Sequence, residues 1–171
     1  MEDTICTELI SVSVKQMHQN TQKIIVCMNE LDESDVWASP NQNLNSIANL
    51  ILHLCGNIRQ YIISSLGRTA DIRERDLEFS VHGGYTKVEL ITKLQDTVDQ
   101  AIAVIGRSTP EELLRKRITQ GAAQTGIGII IHVTEHYSYH TGQIIQLTKF
   151  LKNIDLGIYS GVDLNKRNDS V

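Results

Sequence analysis

The chain of 171 residues is long enough to enclose a hydrophobic core, and we expect one domain over residues 1–171. Hydrophobic residues make up 41% of the sequence and charged residues 21%, as in ordinary globular proteins. The formal net charge is −4 and the sequence has no dense basic cluster, which argues against a nucleic-acid partner.

The sequence also predicts where the protein resides. Its first residues lack the basic start and apolar run of a signal peptide, and no apolar run approaches the ~20 residues that span a bilayer. The odd number of cysteines, without paired spacing, indicates reduced thiols and argues against a disulfide framework. These cysteines are Cys6, Cys27 and Cys55. We therefore expect a cytoplasmic protein that makes no membrane contact.

Helical periodicity dominates the first third of the chain. Apolar residues recur with a helical period from Thr4 to Leu31, which predicts a first helix. The polar stretch from Asp32 to Asn43 reads as a connection. A second helix is predicted from Leu44 to Leu66, and we expect Asn43 or Asn45 to cap its N-terminus.

The remainder of the chain predicts two further long helices. Arg68 to Tyr85 is charged and irregular, and predicts a loop. A Thr-x-x-Glu capping box at Thr86 predicts a third helix that ends near Gly106. Arg115 to Gln124 is interpreted as a loop, and the fourth long helix covers about Thr125 to Lys152. With no strand pattern, the sequence predicts an all-α fold, specifically a four-helix bundle.

The fourth predicted helix carries a stripe of histidines. His132, His136 and His140 follow one another at intervals of four residues. Residues four apart lie on one helix face, and two histidines at this spacing can bind a single transition-metal ion from one side. Two ligands do not complete a site, so at least one more must come from another part of the chain.

His53 is the strongest candidate for that additional ligand. It lies among apolar residues near the core-facing side of the second predicted helix, although a histidine in this position is also typical of a hydrogen-bonded core residue. Two sites remain open from the spacing: one at His136 and His140, and one shifted by a turn to His132 and His136. We prefer the first. The other histidines lie in a polar stretch and in a predicted loop: His18 and His82.

Two ordered motifs resemble a known family. The first runs from Pro40 to Ile58 and contains His53, and the second is the His-x-x-x-His-x-Gly-Gln motif from His136 to Gln143. The arginine-rich segment from Arg73 to Phe79, which ends in Glu-Phe, also fits the pattern. Together these residues resemble the DinB/YfiT-like superfamily, and within it a branch described as a domain of unknown function. The resemblance covers about residues 31–152.

The resemblance implies a fold, a cofactor and a reaction. The family fold is a four-helix bundle that holds a divalent metal ion through three histidines, which correspond to His53, His136 and His140. Imidazole ligands suit zinc or nickel, and also iron or copper. Characterised relatives include S-transferases that use the metal with a low-molecular-weight thiol. The alternatives are a metal-dependent hydrolase and a non-catalytic metal-binding protein of the stress response.

Several neighbouring residues are further candidates. We expect His132 and Gln143 to lie beside the metal ligands, where Gln143 either hydrogen-bonds an imidazole or is a plain polar residue of the helix. Arg59 and Tyr139 are candidates for binding a small-molecule substrate. Gly142 is expected to permit close contact between helices. Apolar stripes exposed on long helices also favour a homodimer.

Overall fold

The computed structural model describes residues 2–168, and helices form most of this part of the chain. A short π-helical segment continues one of the helices, and two strands form a small sheet. In chain order the elements are α1 (Glu2–Glu30), α2 (Glu33–Trp37), α3 (Ile47–Ile58), the π-helical segment (Arg59–Leu66), α4 (Arg75–Ser80), α5 (Lys87–Gly106), α6 (Pro110–Leu114), β1 (Lys116–Thr119), β2 (Ala122–Thr125) and α7 (Gly126–Lys152).

Side-chain hydroxyl groups cap the N-termini of several helices. Ser46 caps α3, because its oxygen accepts a hydrogen bond from the backbone N–H of Asn49. The prediction that Asn43 or Asn45 caps this helix is therefore wrong, and the helix begins later than expected. The helices α5, α6 and α7 begin in the same way as α3, with hydroxyl caps at Thr86, Thr109 and Thr125.

The prediction that the chain contains no strands is also wrong. β1 and β2 pair antiparallel, and the turn between them places Gln120 and Gly121 at positive φ angles of 49° and 80°. Each strand has only four residues and Ile118 points into solvent, so no alternation of buried and exposed residues marks them. Two further segments predicted as irregular contain the short helices α2 and α4.

The long helices enclose one hydrophobic core. α1 packs against α5 and α7, and α3 packs against the same two helices. The π-helical segment extends the contacts of α3 with α5 and α7. Fully buried side chains from all four long helices meet in this core, among them Met17, Ile24, Leu54, Leu94 and Ile129. This arrangement brings the inner face of α3 opposite the inner face of α7.

Large apolar side chains on the surface are scattered over different elements. Ile5 of α1, Val88 of α5 and Phe150 of α7 are each more than half exposed. Isolated exposed apolar residues of this kind are normal for folded proteins. None of the helices between residues 2 and 168 has the length and apolar character needed to cross a membrane.

A buried hydrogen bond ties α1 to α7 close to the histidine stripe. Tyr137 is fully buried, and its hydroxyl lies 2.8 Å from the hydroxyl of Thr21. Thr21 donates its own proton to the carbonyl oxygen of Met17, so Tyr137 is the donor to Thr21. The bond joins α1 to α7 at the residue that follows His136.

We expect Tyr137→Phe to lower the free energy of unfolding by about 1 kcal/mol, because the substitution removes this buried hydrogen bond while preserving the ring. Urea unfolding followed by circular dichroism measures the change. Tyr139→Phe is the matched control, since Tyr139 is 63% exposed and its loss of a hydroxyl should change stability little. Equal destabilisation by both substitutions would contradict the role assigned to Tyr137.

Candidate metal centre

Three histidines from two helices meet between α3 and α7. One ring nitrogen from each of His53, His136 and His140 lies within 4.8 Å of the others. The ring centroids of His53 are 4.9 Å from those of both partners, and the two histidines of α7 are 4.4 Å apart. The structure thus brings together residues 83 positions apart in the chain. His18 and His82 are exposed and lie outside this cluster.

The tautomer of His53 is fixed by a buried carboxylate. Nδ1 of His53 lies 2.8 Å from Oε2 of Glu78, and both side chains are 8% exposed. A carboxylate only accepts hydrogen bonds, so Nδ1 carries the proton and Nε2 carries the lone pair. That lone pair faces Nε2 of His136 at 3.0 Å. A carboxylate that orients a histidine in this way is typical of the surroundings of metal ligands.

Arg73 holds Glu78 in place. Its Nε donates to Oε1 of Glu78 at 2.7 Å, its Nη2 donates to Oε2 at 2.9 Å, and Nη1 donates to Gln60. Burial raises the pKa of Glu78, but the hydrogen bonds from Arg73 and His53 outweigh burial and leave this pKa below its usual value. Glu78 therefore remains ionised and continues to accept the proton of His53 Nδ1.

The backbone of α3 leaves room for this carboxylate only because residue 56 is glycine. A Cβ atom at Gly56 would lie 1.8 Å from Oε1 of Glu78 and 2.7 Å from its Cδ. Asn49, one turn before His53, holds the segment that carries Glu78. Its Nδ2 donates to the carbonyl oxygens of Glu78 and Val81, each at 2.9 Å. The fit between α3 and α4 thus positions the carboxylate.

His140 is oriented by its neighbour on α7. Nδ1 of His140 lies 2.6 Å from Oε1 of Gln143, which is an acceptor, so Nδ1 donates and Nε2 is left for the cluster. Gln143 in turn donates through its Nε2 to the hydroxyl of Tyr139 at 3.4 Å. Both His53 and His140 therefore present Nε2 lone pairs to the same small space.

The cluster also favours neutral imidazoles. Burial, together with the neighbouring charges that His140 and His53 would carry, lowers the pKa of His136 to about 3. Burial likewise lowers the pKa of His140, although its hydrogen bond to Gln143 acts in the opposite direction. Both rings stay unprotonated at neutral pH, which is the form that binds metal ions.

This donor set fits a divalent metal ion of the first transition row. One nitrogen of each ring points into the cluster, and the other nitrogen of His53 and of His140 is hydrogen-bonded to Glu78 or Gln143. Burial lowers the pKa values of His136 and His140. Three protein ligands leave a coordination position for a small molecule, which is typical of catalytic and not of structural zinc sites. His53, His136 and His140 could therefore hold such an ion.

His132 lies beside the cluster and is not part of it. Its ring stacks between Tyr61, at a centroid distance of 4.3 Å, and His136, at 5.5 Å. Its Nε2 is 3.4 Å from Nδ2 of Asn57, which follows His53 by one helical turn. His132, Asn57 and Tyr61 thus form a group of contacting side chains next to the three histidines.

The two candidate substrate residues lie in different cavities. Tyr139 lines a cavity of about 580 Å³ together with His140, Gln143 and apolar side chains that include Leu50. His140 is the member of the histidine cluster that lines this cavity. Arg59 lines a separate cavity of about 310 Å³, to which none of the three clustered histidines contributes.

The sequence motifs did not identify Glu78, its arginine or Gly56 as parts of the site. Glu78 and Arg73 lie in a segment that was predicted to be a loop of unknown role. Gly56 offered the clearest signal, because a glycine inside an apolar helix costs roughly 1 kcal/mol relative to alanine and so calls for a packing reason. Gly142, expected to allow close helix contact, has open space around its Cβ position.

We expect Gly56→Ala and Glu78→Gln each to weaken metal binding by about 10–100-fold, because both release His53 from its carboxylate. Competition titration against a chromogenic chelator measures the metal affinity. Gly106→Ala is the control, since no atom lies within 4 Å of a Cβ built at this exposed position. Unchanged affinity in a folded Glu78→Gln variant would show that the carboxylate does not support the site.

Comparison with known proteins adds a family but no activity. None of the curated proteins matches the chain. DUF1572, a family of proteins of unknown function, matches residues 4–161. This range includes all of α3, α5 and α7, nearly all of α1, and every residue of the histidine cluster. The chain therefore belongs to the DUF1572 family.

Proposed function

We propose that the protein binds a divalent metal ion through His53, His136 and His140 and uses it in S-transfer from a low-molecular-weight thiol. The observation that carries this proposal is the convergence of three imidazole rings beside a cavity large enough for a small molecule. A metal ion with an open coordination position supplies the means to keep a thiol deprotonated at neutral pH. Zinc or nickel is our first choice for this ion, ahead of iron or copper.

The proposal includes membership of the DinB/YfiT-like superfamily and its four-helix bundle. Support comes from the packing of α1 and α3 against both α5 and α7, and from the origin of the histidines on α3 and α7. The small hairpin and the short helices α2, α4 and α6 would then be additions to the bundle.

In this proposal, different residues orient the metal ligands, exclude water and contact the substrate. Glu78 and Gln143 keep Nδ1 of His53 and His140 protonated, so that Nε2 of each ring is the ligand atom. Leu50 and Leu147 give the neighbouring cavity an apolar wall that excludes water from a bound electrophile. Tyr139, at the rim, offers a hydroxyl to a polar group of the substrate.

The alternative of a metal-dependent hydrolase has less support from the structure. Glu135 is exposed on another face of α7, which argues against a role as the base of a hydrolase.

We expect the purified protein to contain about one divalent ion per chain, and His53→Ala and His136→Ala to lose it. Elemental analysis by plasma mass spectrometry measures the metal content. His132→Ala tests the site shifted by one turn and should retain the metal, as should His82→Ala, which removes an exposed histidine. Full metal content in a folded His53→Ala variant would remove His53 from the site.

The transfer reaction is tested separately with glutathione or cysteine as thiol and 1-chloro-2,4-dinitrobenzene as electrophile. In this reaction the thiol loses its proton, sulfur bonds to the ring carbon, and chloride leaves. We expect metal-dependent turnover with at least one thiol of a panel, and proton release on thiol binding that calorimetry detects in buffers of different ionisation enthalpy. Metal binding without thiol binding, proton release or turnover would instead favour a non-catalytic metal-binding protein.

A further inference from the structure

The cavity that contains Arg59 lies between the segment around α4 and the helices α3 and α5. It has a volume of about 310 Å³, at the lower end of the range for small-molecule sites. Glu78 and Gly56 line it, but none of the clustered histidines does, so it is separate from the cavity beside His140. No step of the proposed transfer reaction uses it.

Two cationic side chains reach this cavity from different elements. Arg59 is the first residue of the π-helical segment, and Lys93 comes from α5. Among residues 2–168, neither forms an ion pair with a carboxylate. The ammonium of Lys93 lies 5.5 Å above the ring of Tyr85, a contact that leaves its charge uncompensated. Both cations are thus available to an anion.

The acidic groups of the cavity leave this positive charge in excess. Glu78 is already engaged by Arg73 and His53, so its charge is balanced within the wall. Glu74 lies exposed at the rim and is the other acidic side chain along the lining. With Arg73 paired to Glu78, Arg59 and Lys93 oppose Glu74 alone.

The floor of the cavity is neutral, and part of its wall is apolar. Burial raises the pKa of Cys55, which lines the cavity, to about 11, so this thiol carries no charge at neutral pH. Thr97, also on the floor, already donates its hydroxyl proton to the carbonyl oxygen of Lys93. Leu52 and the largely exposed Ile72 and Leu77 supply apolar surface.

We propose that this cavity is a second ligand site, which binds a small carboxylate with a short apolar body. The carboxylate pairs with Arg59 and Lys93, because unpaired cations on two sides of one cavity match a single anionic group. The apolar body covers Leu52, Ile72 and Leu77, two of which are otherwise exposed. None of the three clustered histidines lines the cavity, so we expect binding there without a metal ion.

Isothermal calorimetry of the full-length chain with 4-phenylbutyrate tests the proposal. We expect saturable binding with a Kd of about 1 mM or tighter, and at least tenfold weaker binding of 4-phenylbutanol, which lacks the charge. Arg59→Gln should weaken 4-phenylbutyrate binding about tenfold, and the exposed Lys93→Gln about threefold. Arg107→Gln is the matched control, because it removes an exposed arginine that does not line the cavity.

Repeating the titration with excess EDTA separates this site from the histidine cluster. We expect unchanged affinity, whether or not the protein binds metal, whereas loss of binding would place the carboxylate on the metal and overturn the proposal. Equal affinity for 4-phenylbutyrate and 4-phenylbutanol would show that the carboxylate does not contribute to binding, and would overturn the proposal. Affinity that survives both Arg59→Gln and Lys93→Gln in folded variants, or the absence of saturable binding, would also overturn it.

Discussion

The buried carboxylate of Glu78 is the group on which the arrangement around the histidines depends. Its two oxygens accept three hydrogen bonds, two from Arg73 and one from His53. Burying a charge costs several kcal/mol unless it is paired and hydrogen-bonded, so the cluster is stable only as a complete set. The same bonds set the tautomer of His53, and they therefore determine which nitrogen faces α7.

Backbone geometry makes that set possible. Asn49 accepts a hydrogen bond from Ser46 and donates to the carbonyl oxygens of Glu78 and Val81, so a single buried amide joins the start of α3 to the end of α4. Because Gly56 has no side chain, the carboxylate of Glu78 can approach the backbone of α3 closely. The helix that supplies His53 thus also supplies the surface on which its hydrogen-bond partner is positioned.

The sequence was a good guide to the long helices and to the histidines that lie together. Helical periodicity reflects which face is buried, and a stripe at intervals of four stays on one face wherever the helix packs. It was a poor guide to short elements, since the hairpin from Lys116 to Thr125 has four-residue strands and little burial to give it a pattern.

The partners of His53 could not be read from periodicity for a different reason. Arg73 and Glu78 meet it through tertiary packing of a charged segment, and nothing local distinguishes a carboxylate that will be buried from one that stays in water. The family resemblance marked the segment Arg73–Phe79 without giving it a role. Its role follows only when α4 is placed against α3 and the charge of Glu78 has to be compensated.

The π-helical segment continues α3 and carries Arg59 and Tyr61 to two different parts of the structure. It follows α3 directly after Ile58, and its wider turn is closed by bonds such as that from the N–H of Gly67 to the carbonyl of Ile62. Arg59 begins the segment and faces the cavity beside α5, whereas Tyr61, two residues later, stacks on His132 of α7. The eight-residue segment therefore supplies one residue of the Arg59 cavity and one residue of the ring stack beside the histidine cluster, and π-helical turns recur at functional sites.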